Sequence, residues 1–323
     1  MSLFLFGFVS SQHKFLEIPK ISDDDLKSTK SAKYPDAPAE VLFRSIHFRI
    51  DYDGFLYKDV VDRVKIYNKD NAADYLDFKI SQYEDNRGSR ETLSNLKAYT
   101  YNWENGKKVE AKVERNEKYK SKEDKNYIVT KFAFPNVKDG SIVEYSYLLY
   151  TPFIGSTPRV MIEDEIPVRY VEYVFDSPKP IGYNINYKGD LLPTFREMEE
   201  KKIYGGDYQL YRFGYENVPP YKEEKYVLNS DNYKTGIKSE LNSIMRGTEL
   251  KSYALTWKDI SKRLYDHDDF GSELKKQNLV KDLLPAEIKG MPSKTDKARA
   301  ILKYVQKNYT WNKEDEVVTD KGI

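Results

Sequence analysis

From residue 41 to about 215 the chain alternates apolar and polar side chains with a period of two, and this pattern constrains the fold more than anything else in it. Leu42, Ile46, Phe48 and Ile50 share one parity, against Ser45, His47 and Arg49 on the other. Val60, Val64 and Ile66 oppose Arg63 and Lys65; Val143, Tyr145, Tyr147 and Leu149 oppose Glu144 and Ser146. Val171, Tyr173 and Phe175 oppose Glu172 and Val174, and Ile181, Tyr183, Ile185 and Tyr187 oppose Gly182, Asn184 and Asn186. Successive side chains of a strand point to opposite sides of the pleat, so alternation means one buried face. Turn residues separate the runs, at Asn105-Gly106, Pro135-Asn136, Asp139-Gly140, Ser177-Pro178 and Gly205-Gly206-Asp207. Glu104-Asn105-Gly106-Lys107 between two alternating runs is a hairpin signal. Many short antiparallel strands with no helical period between them predict a mainly β chain, an antiparallel β-sandwich.

The period changes towards the end. After a linker at Val218-Pro219-Pro220 and Lys222-Glu223-Glu224-Lys225, residues 232–246 alternate weakly and are expected to form a strand. Beyond 255, Trp257, Ile260 and Leu264 fall at helical spacing after Thr256, a good N-cap residue. Leu279, Val280, Leu283 and Leu284 form a second short stripe. Thr295 is the expected cap of a third helix, with Ala298, Ile301, Leu302, Val305 and Tyr309 on one face. This stripe has no visible partner, so residues 293–323 are expected to be loosely packed.

The division expected is therefore 1–12, 13–40 as an extended lead-in, 41–250 as the β-sandwich, and 251–323 as a short α-helical C-terminal segment. Met1–Gln12 is an apolar run ending in small polar residues, which reads as the remnant of a signal peptide. It is far too short for a bilayer span of about 20 residues, and no later segment reaches that length. The expected location is outside the cytoplasm, in the periplasm or at the cell surface.

Composition narrows the chemistry. Lys and Arg number 53 and Asp and Glu 52, so the net charge is +1, which argues against nucleic acid as a partner. There is no cysteine, hence no thiolate nucleophile and no disulfide within this sequence. The three histidines, His13, His47 and His267, are scattered, so no metal site or cofactor is expected. His47 sits on the polar parity of its strand and reads as surface; His267, in Asp266-His267-Asp268-Asp269, reads as a solvated cap. Asp23-Asp24-Asp25 and Glu163-Asp164-Glu165 lack calcium-loop spacing and read as solvated loops. Lys118, Lys120, Lys122 and Lys125 are balanced by Glu117, Glu123 and Asp124, as at a mobile hairpin tip.

Tyrosine is the outlier, at 28 of 323 residues. Tyr99, Tyr101 and Trp103 share one parity of one strand, and Tyr208 and Tyr211 lie on a later one. Such rings can form a platform for a sugar or peptide. They can equally be cross-strand packing, which favours tyrosine anyway. The first role requires Tyr99, Tyr101 and Trp103 to be exposed and coplanar.

Two stretches carry a family likeness. They are Leu96-Lys97-Ala98-Tyr99-Thr100-Tyr101-Asn102 and Lys131-Phe132-Ala133-Phe134-Pro135-Asn136-Val137-Lys138-Asp139-Gly140-Ser141-Ile142-Val143-Glu144-Tyr145-Ser146-Tyr147. With Ile166-Pro167-Val168, Glu172-Tyr173 and Glu216-Asn217-Val218-Pro219, they resemble the domain of unknown function that precedes transglutaminase-like domains in exported bacterial proteins, over about 41–250. Lys297-Ala298, Ile301, Tyr304-Val305 and Trp311 resemble the first helix of the transglutaminase-like domain itself. The resemblance implies an exported protein of which this chain is a fragment, ending before the catalytic cysteine, histidine and aspartate of that fold. The expectation is a non-catalytic binding or scaffold module. Its partners would be the transglutaminase-like domain that follows and an envelope peptide or glycan. One alternative is that the chain is the leading part of a thiol acyl-transferase or protease whose active site lies beyond Ile323. The other is a carbohydrate-binding module.

Overall fold

The computed structural model describes residues 18–310, apart from 86–87, 124–125, 156, 224, 254–255, 268–269 and 277–282. Met1–Gln12, Leu279-Val280, Trp311 and the Lys321–Ile323 end lie outside these residues. The chain divides into two compact units, residues 1–253 and 254–323.

The first unit is built on a large sheet. In chain order its strands are β1 (Ala39–Ile50), β2 (Leu56–Ile66), β3 (Asp77–Tyr83), β4 (Thr92–Glu104), β5 (Lys107–Lys112), β6 (Tyr119–Lys122), β7 (Tyr127–Ala133) and β8 (Ile142–Thr151). There follow β9 (Val160–Met161), β10 (Val168–Pro178), β11 (Ile181–Lys188), β12 (Phe195–Ile203), β13 (Gly206–Val218), β14 (Gly236–Arg246) and β15 (Glu249–Ser252). Eight form one sheet in the order β12-β13-β10-β1-β2-β8-β4-β5. A four-stranded sheet, β11-β14-β15 with β9 on β14, and a three-stranded sheet, β3-β7-β6, complete the unit.

The two small sheets share one core with the large one. Ile46, Phe48, Val60, Tyr147, Tyr173 and Phe175 from the large sheet join Ile80 and Phe132 of one small sheet and Ile181, Tyr183 and Ile237 of the other. Ring contacts mark both seams: Phe78 lies 3.9 Å from Tyr145, and Phe175 lies 4.8 Å from Tyr183. This is the mainly β sandwich that alternation predicts, with two differences. First, β1 and β10 run parallel, Ser45 beside Glu172 and Phe48 beside Phe175, although every other strand pairing among the described residues is antiparallel. Second, the register shifts between Val41 and Phe43. The extra residue reverses parity. Leu42 therefore leaves the face of Ile46, Phe48 and Ile50 and packs on the other side, with Leu26, Tyr101 and Ile142.

The β4–β5 hairpin turns at Asn105 and Gly106, both at positive φ (50° and 77°), as a type I′ turn requires. Gly214 has a different reason to lack a side chain. A Cβ there would sit 1.7 Å from the ring of Phe195, which lies across the β12–β13 pair.

The lead-in is not fully extended. Ser22 caps a short helix, α1 (Asp23–Lys27), by accepting the Asp25 N–H at 3.0 Å, and the acidic run supplies its first turn. Carboxylates are favoured there by the helix dipole. Asp25 also receives Arg169 at 2.5 Å.

The second unit holds α2 (Trp257–Asp266), α3 (Gly271–Lys275), α4 (Ala286–Lys289) and α5 (Lys294–Asn308). Thr256 caps α2 in a reciprocal box with Asp259. The cap of α5 is Ser293, whose hydroxyl accepts the Asp296 N–H at 3.2 Å; Thr295 lies inside the helix. Among the described residues of this unit only Gly271 and Ile288 are buried, and Leu302 and Val305 on the α5 stripe are 58% and 44% exposed. Among the described residues no helix is long and apolar enough to cross a membrane.

Candidate functional site

The outer face of the large sheet, opposite the shared core, carries a row of polar side chains across β2, β1, β10, β13 and β12. Strand register places them. Asp59 stands opposite His47, Glu172 beside Ser45, Asp176 beside Arg49, and Glu197 opposite Arg212. Side-chain bonds then cross the strands. His47 Nε2 is 2.7 Å from Asp176 Oδ2. Ser45 donates its hydroxyl proton to Glu172 Oε1 at 2.9 Å, and Tyr170 donates to Glu172 Oε2 at 2.9 Å. Arg212 donates to Glu197 at 2.9 Å and pairs with Glu172 at 3.6 Å. His47 is thus half-buried and paired rather than a free surface side chain, because the polar parity of β1 faces charged neighbours on both sides.

A groove of about 200 Å³ opens over this row. Ile18, Phe43, Val61 and Val174 give it apolar walls; Ser45, His47, Asp59 and Glu172 give it polar ones. Burial pushes the Asp59 carboxyl up, against the pull of His47 and Arg49. Burial also pushes Glu172 up, opposed by Ser45, Tyr170 and Arg212. Towards the β1 end, the Arg49 guanidinium lies between the rings of Tyr57 and Tyr204, at 4.4 and 4.8 Å. Chemically, the row offers four carboxylates, of which Asp59 and Glu172 line the apolar slot together with the His47 imidazole. Ser45 gives its proton to a carboxylate, not to His47, so the serine and histidine do not form a nucleophile and base pair.

The aromatic candidates lie elsewhere on the same face. Tyr101 is buried, 8% exposed, and Tyr99 and Trp103 are half-buried. They pack with Leu26, Leu42, Ile142 and Ile21 beneath the lead-in. Lys27 of α1 sits over the Trp103 ring at 4.3 Å, and the Tyr99 and Tyr101 rings are 5.9 Å apart at 27°. The lead-in thus covers much of what would be an open three-ring platform. Tyr208 is buried at the far end of β13, edge-on to Tyr52.

Other residues singled out in the sequence are dispersed. Asp164, in the acidic run expected to be a solvated loop, accepts from Arg44 at 2.9 Å and from Tyr75 at 2.6 Å. Burial raises its carboxyl, but the Arg44 charge and the two donors hold it below the ordinary value. His267 closes α2, its N–H bonded to the Leu264 carbonyl. Lys118 donates to the Leu96 carbonyl at 2.9 Å, and Lys120 and Lys122 lie on the exposed strand β6. Among the described residues no cluster of three or more His, Asp or Glu is placed to hold a metal ion.

No curated protein matches this chain. A crystal structure of a protein from Parabacteroides distasonis, described as a candidate protease, shares the fold at a TM-score of 0.60 and 14% identity. The match covers 84% of this chain and 51% of that one, so this chain spans about half the length of the structure it resembles. A candidate nutrient-binding protein from Legionella pneumophila aligns over 63% of this chain and 67% of its own, at 9% identity and a TM-score of 0.30, too low to carry an argument. The model of a domain of unknown function with a solved structure, DUF3857, matches residues 52–222, which span β2 to β13 and more than half of the sequence, and the chain belongs to that family.

Proposed function

We propose that the β unit is a non-catalytic binding module of an exported protein, and that it holds a ligand for, or positions, a transglutaminase-like module following it. The observation that carries this reading is the groove on the outer sheet face. It combines apolar walls with polar groups already oriented by cross-strand bonds, which is how small sites are built. Its serine is bonded to a carboxylate and the sequence holds no cysteine, so among the described residues neither a hydroxyl paired with a base nor a thiol lines it. The two carboxylates in its lining, Asp59 and Glu172, suit a ligand with an amine, such as a short envelope peptide.

The test is a titration of the 323-residue chain with short lysine-containing peptides, read by methyl and His47 ring resonances. The expected result is saturable shifts at Val61, Val174 and His47, lost in Asp59→Asn, with the peptide recovered intact. Cleavage or crosslinking of the peptide by the chain itself would overturn the non-catalytic reading, and unchanged resonances would overturn the groove. A second reading, in which the chain is the leading part of a thiol acyl-transferase or protease, is favoured by the longer Parabacteroides protein. It is tested by assaying a longer natural form of the protein beside this chain.

A further inference from the structure

We infer a second binding site, on the opposite face of the large sheet, for the carboxylate of an apolar organic acid, with the ammonium of Lys58 as its anchor. The two small sheets cover the inner face side by side and leave a gap over β1, β2 and β8. In that gap lies a cavity of about 270 Å³. Phe48, Leu56, Tyr147 and Leu149 form its floor, with Ile80 of β3 in one wall and Pro158 in the other. Lys58 is on the inward parity of β2, opposite Phe48 and Leu149, where its neighbours along the strand are Leu56 and Val60. An apolar residue would complete the core at this position.

The Lys58 Nζ lies 5.9 Å from the ring centroids of both Phe48 and Tyr147, and no carboxylate or carbonyl of the described residues bonds it. Burial pushes the amine down, and Glu91, which accepts the Tyr83 N–H at 2.9 Å, opposes this only through space. A desolvated cation with ring faces for company gains most from an anion entering the cavity. The lining sets the class. Of the two amines in the lining, Lys79 is paired with Glu123 at 2.9 Å, so Lys58 alone is left to match one negative charge, and Glu91 in the wall opposes a dianion such as phosphate. The hydroxyls of Ser81 and Thr151 can complete the carboxylate's bonds, and the aliphatic lining accepts a hydrocarbon tail. A larger space of about 600 Å³ shares Leu56, Glu91, Thr151 and Pro158 with the cavity and gives the tail a way out.

The experiment is competitive labelling of the 323-residue chain with an amine-reactive reagent at mildly alkaline pH, mapped by mass spectrometry, in the presence of hexanoate, hexanamide, phosphate or chloride at matched ionic strength. Hexanoate is expected to slow labelling of Lys58 by about tenfold at saturation, the scale of one charge-assisted bond, and to leave exposed lysines unchanged. Protection by hexanamide, phosphate or chloride equal to that by hexanoate would overturn the site, as would none by hexanoate. In a second arm, Lys58→Met should abolish the hexanoate-induced shifts of the Leu56 and Leu149 methyls, with Lys58→Arg keeping part of them. Unaltered hexanoate binding by Lys58→Met would overturn the anchor. If that variant does not fold, the labelling of the unaltered chain decides alone.

Discussion

The two faces of the eight-stranded sheet are made from the same strands by different means. The inner face is covered by two further sheets and packed with rings and branched side chains such as Phe48, Tyr173 and Phe175. The outer face has as cover, among the described residues, the lead-in with its five-residue helix, over Leu42, Tyr101 and Ile142. Elsewhere it is tied together by charges: Ser45 and Arg212 to Glu172, His47 to Asp176, Arg63 to Glu144. Non-directional burial stabilises where a second layer exists. Where it does not, cross-strand pairs hold the surface and leave it polar enough to meet a ligand.

The largest expected effect probes the inner face. Phe175 is fully buried against Tyr183 and Tyr211, and Phe175→Ala should destabilise the β unit by about 3–5 kcal/mol in chemical denaturation. Val61→Ala, on the groove wall, should cost under about 1 kcal/mol because the site is open to water. Similar losses at the two positions would break the distinction between the faces.

One charged cluster lies on the inner side and sharpens the comparison. Arg44 donates to Asp62 and Asp164, each at 2.9 Å, and Tyr145 donates to Asp62 at 2.9 Å. Burial pushes Asp62 up in spite of Arg44, so this carboxylate depends on its partner. Arg44→Met leaves two acids without their cation and should cost about 3 kcal/mol near neutral pH, with much of the loss recovered at acidic pH as the acids take up protons. On the outer face Glu172 keeps Ser45 and Tyr170 as donors when Arg212 is changed, so Arg212→Met should cost less than Arg44→Met. The denaturation midpoints of the two variants at two pH values check both statements.

Much of this architecture was legible in local sequence, and the parts that were not share a cause. Parity identified which residues of β2, β8 and β10 face the core, because period two is a property of each strand alone. It could not reveal the irregularity between Val41 and Phe43, which moves Leu42 to the outer face while the apolar pattern continues unbroken. Nor could it pair β1 with β10, since Ser45 and Glu172 meet across more than a hundred residues with no local mark of it. The site was legible only in its ingredients. Ser45, His47 and Glu172 read as polar and outward, yet their mutual bonds depend on that long-range pairing. The acidic runs misread as solvated loops failed for the same reason: the partners of Asp25 and Asp164 are Arg169 and Arg44, far away in sequence. The helix cap at Ser293 in place of Thr295 is a smaller miss, because both residues can cap and only backbone geometry chooses.

The finest comparison is between two lysines of β2 that point to opposite faces. Lys58 looks into the inner cavity with no hydrogen-bonding partner among the described residues, whereas Lys65 lies under the lead-in, donating to the Leu26 carbonyl at 3.0 Å and the Gly140 carbonyl at 2.6 Å. Two acceptors can be satisfied by a neutral amine, and burial pushes the Lys65 amine down to about 8. In the unfolded chain it titrates near 10.4, so between about pH 8 and that value the unfolded state holds a proton that the native state has lost. Stability from this group therefore rises with pH across that window, and below it the full cost of burying the ammonium is present. The denaturation midpoint of the unaltered chain, measured relative to Lys65→Met, should thus increase from neutral pH to about pH 9.5. Tyrosine ionisation affects both proteins alike and cancels in the difference. A constant difference would mean that Lys65 stays charged beneath the lead-in, and that this part of the outer face is wetter than its packing indicates.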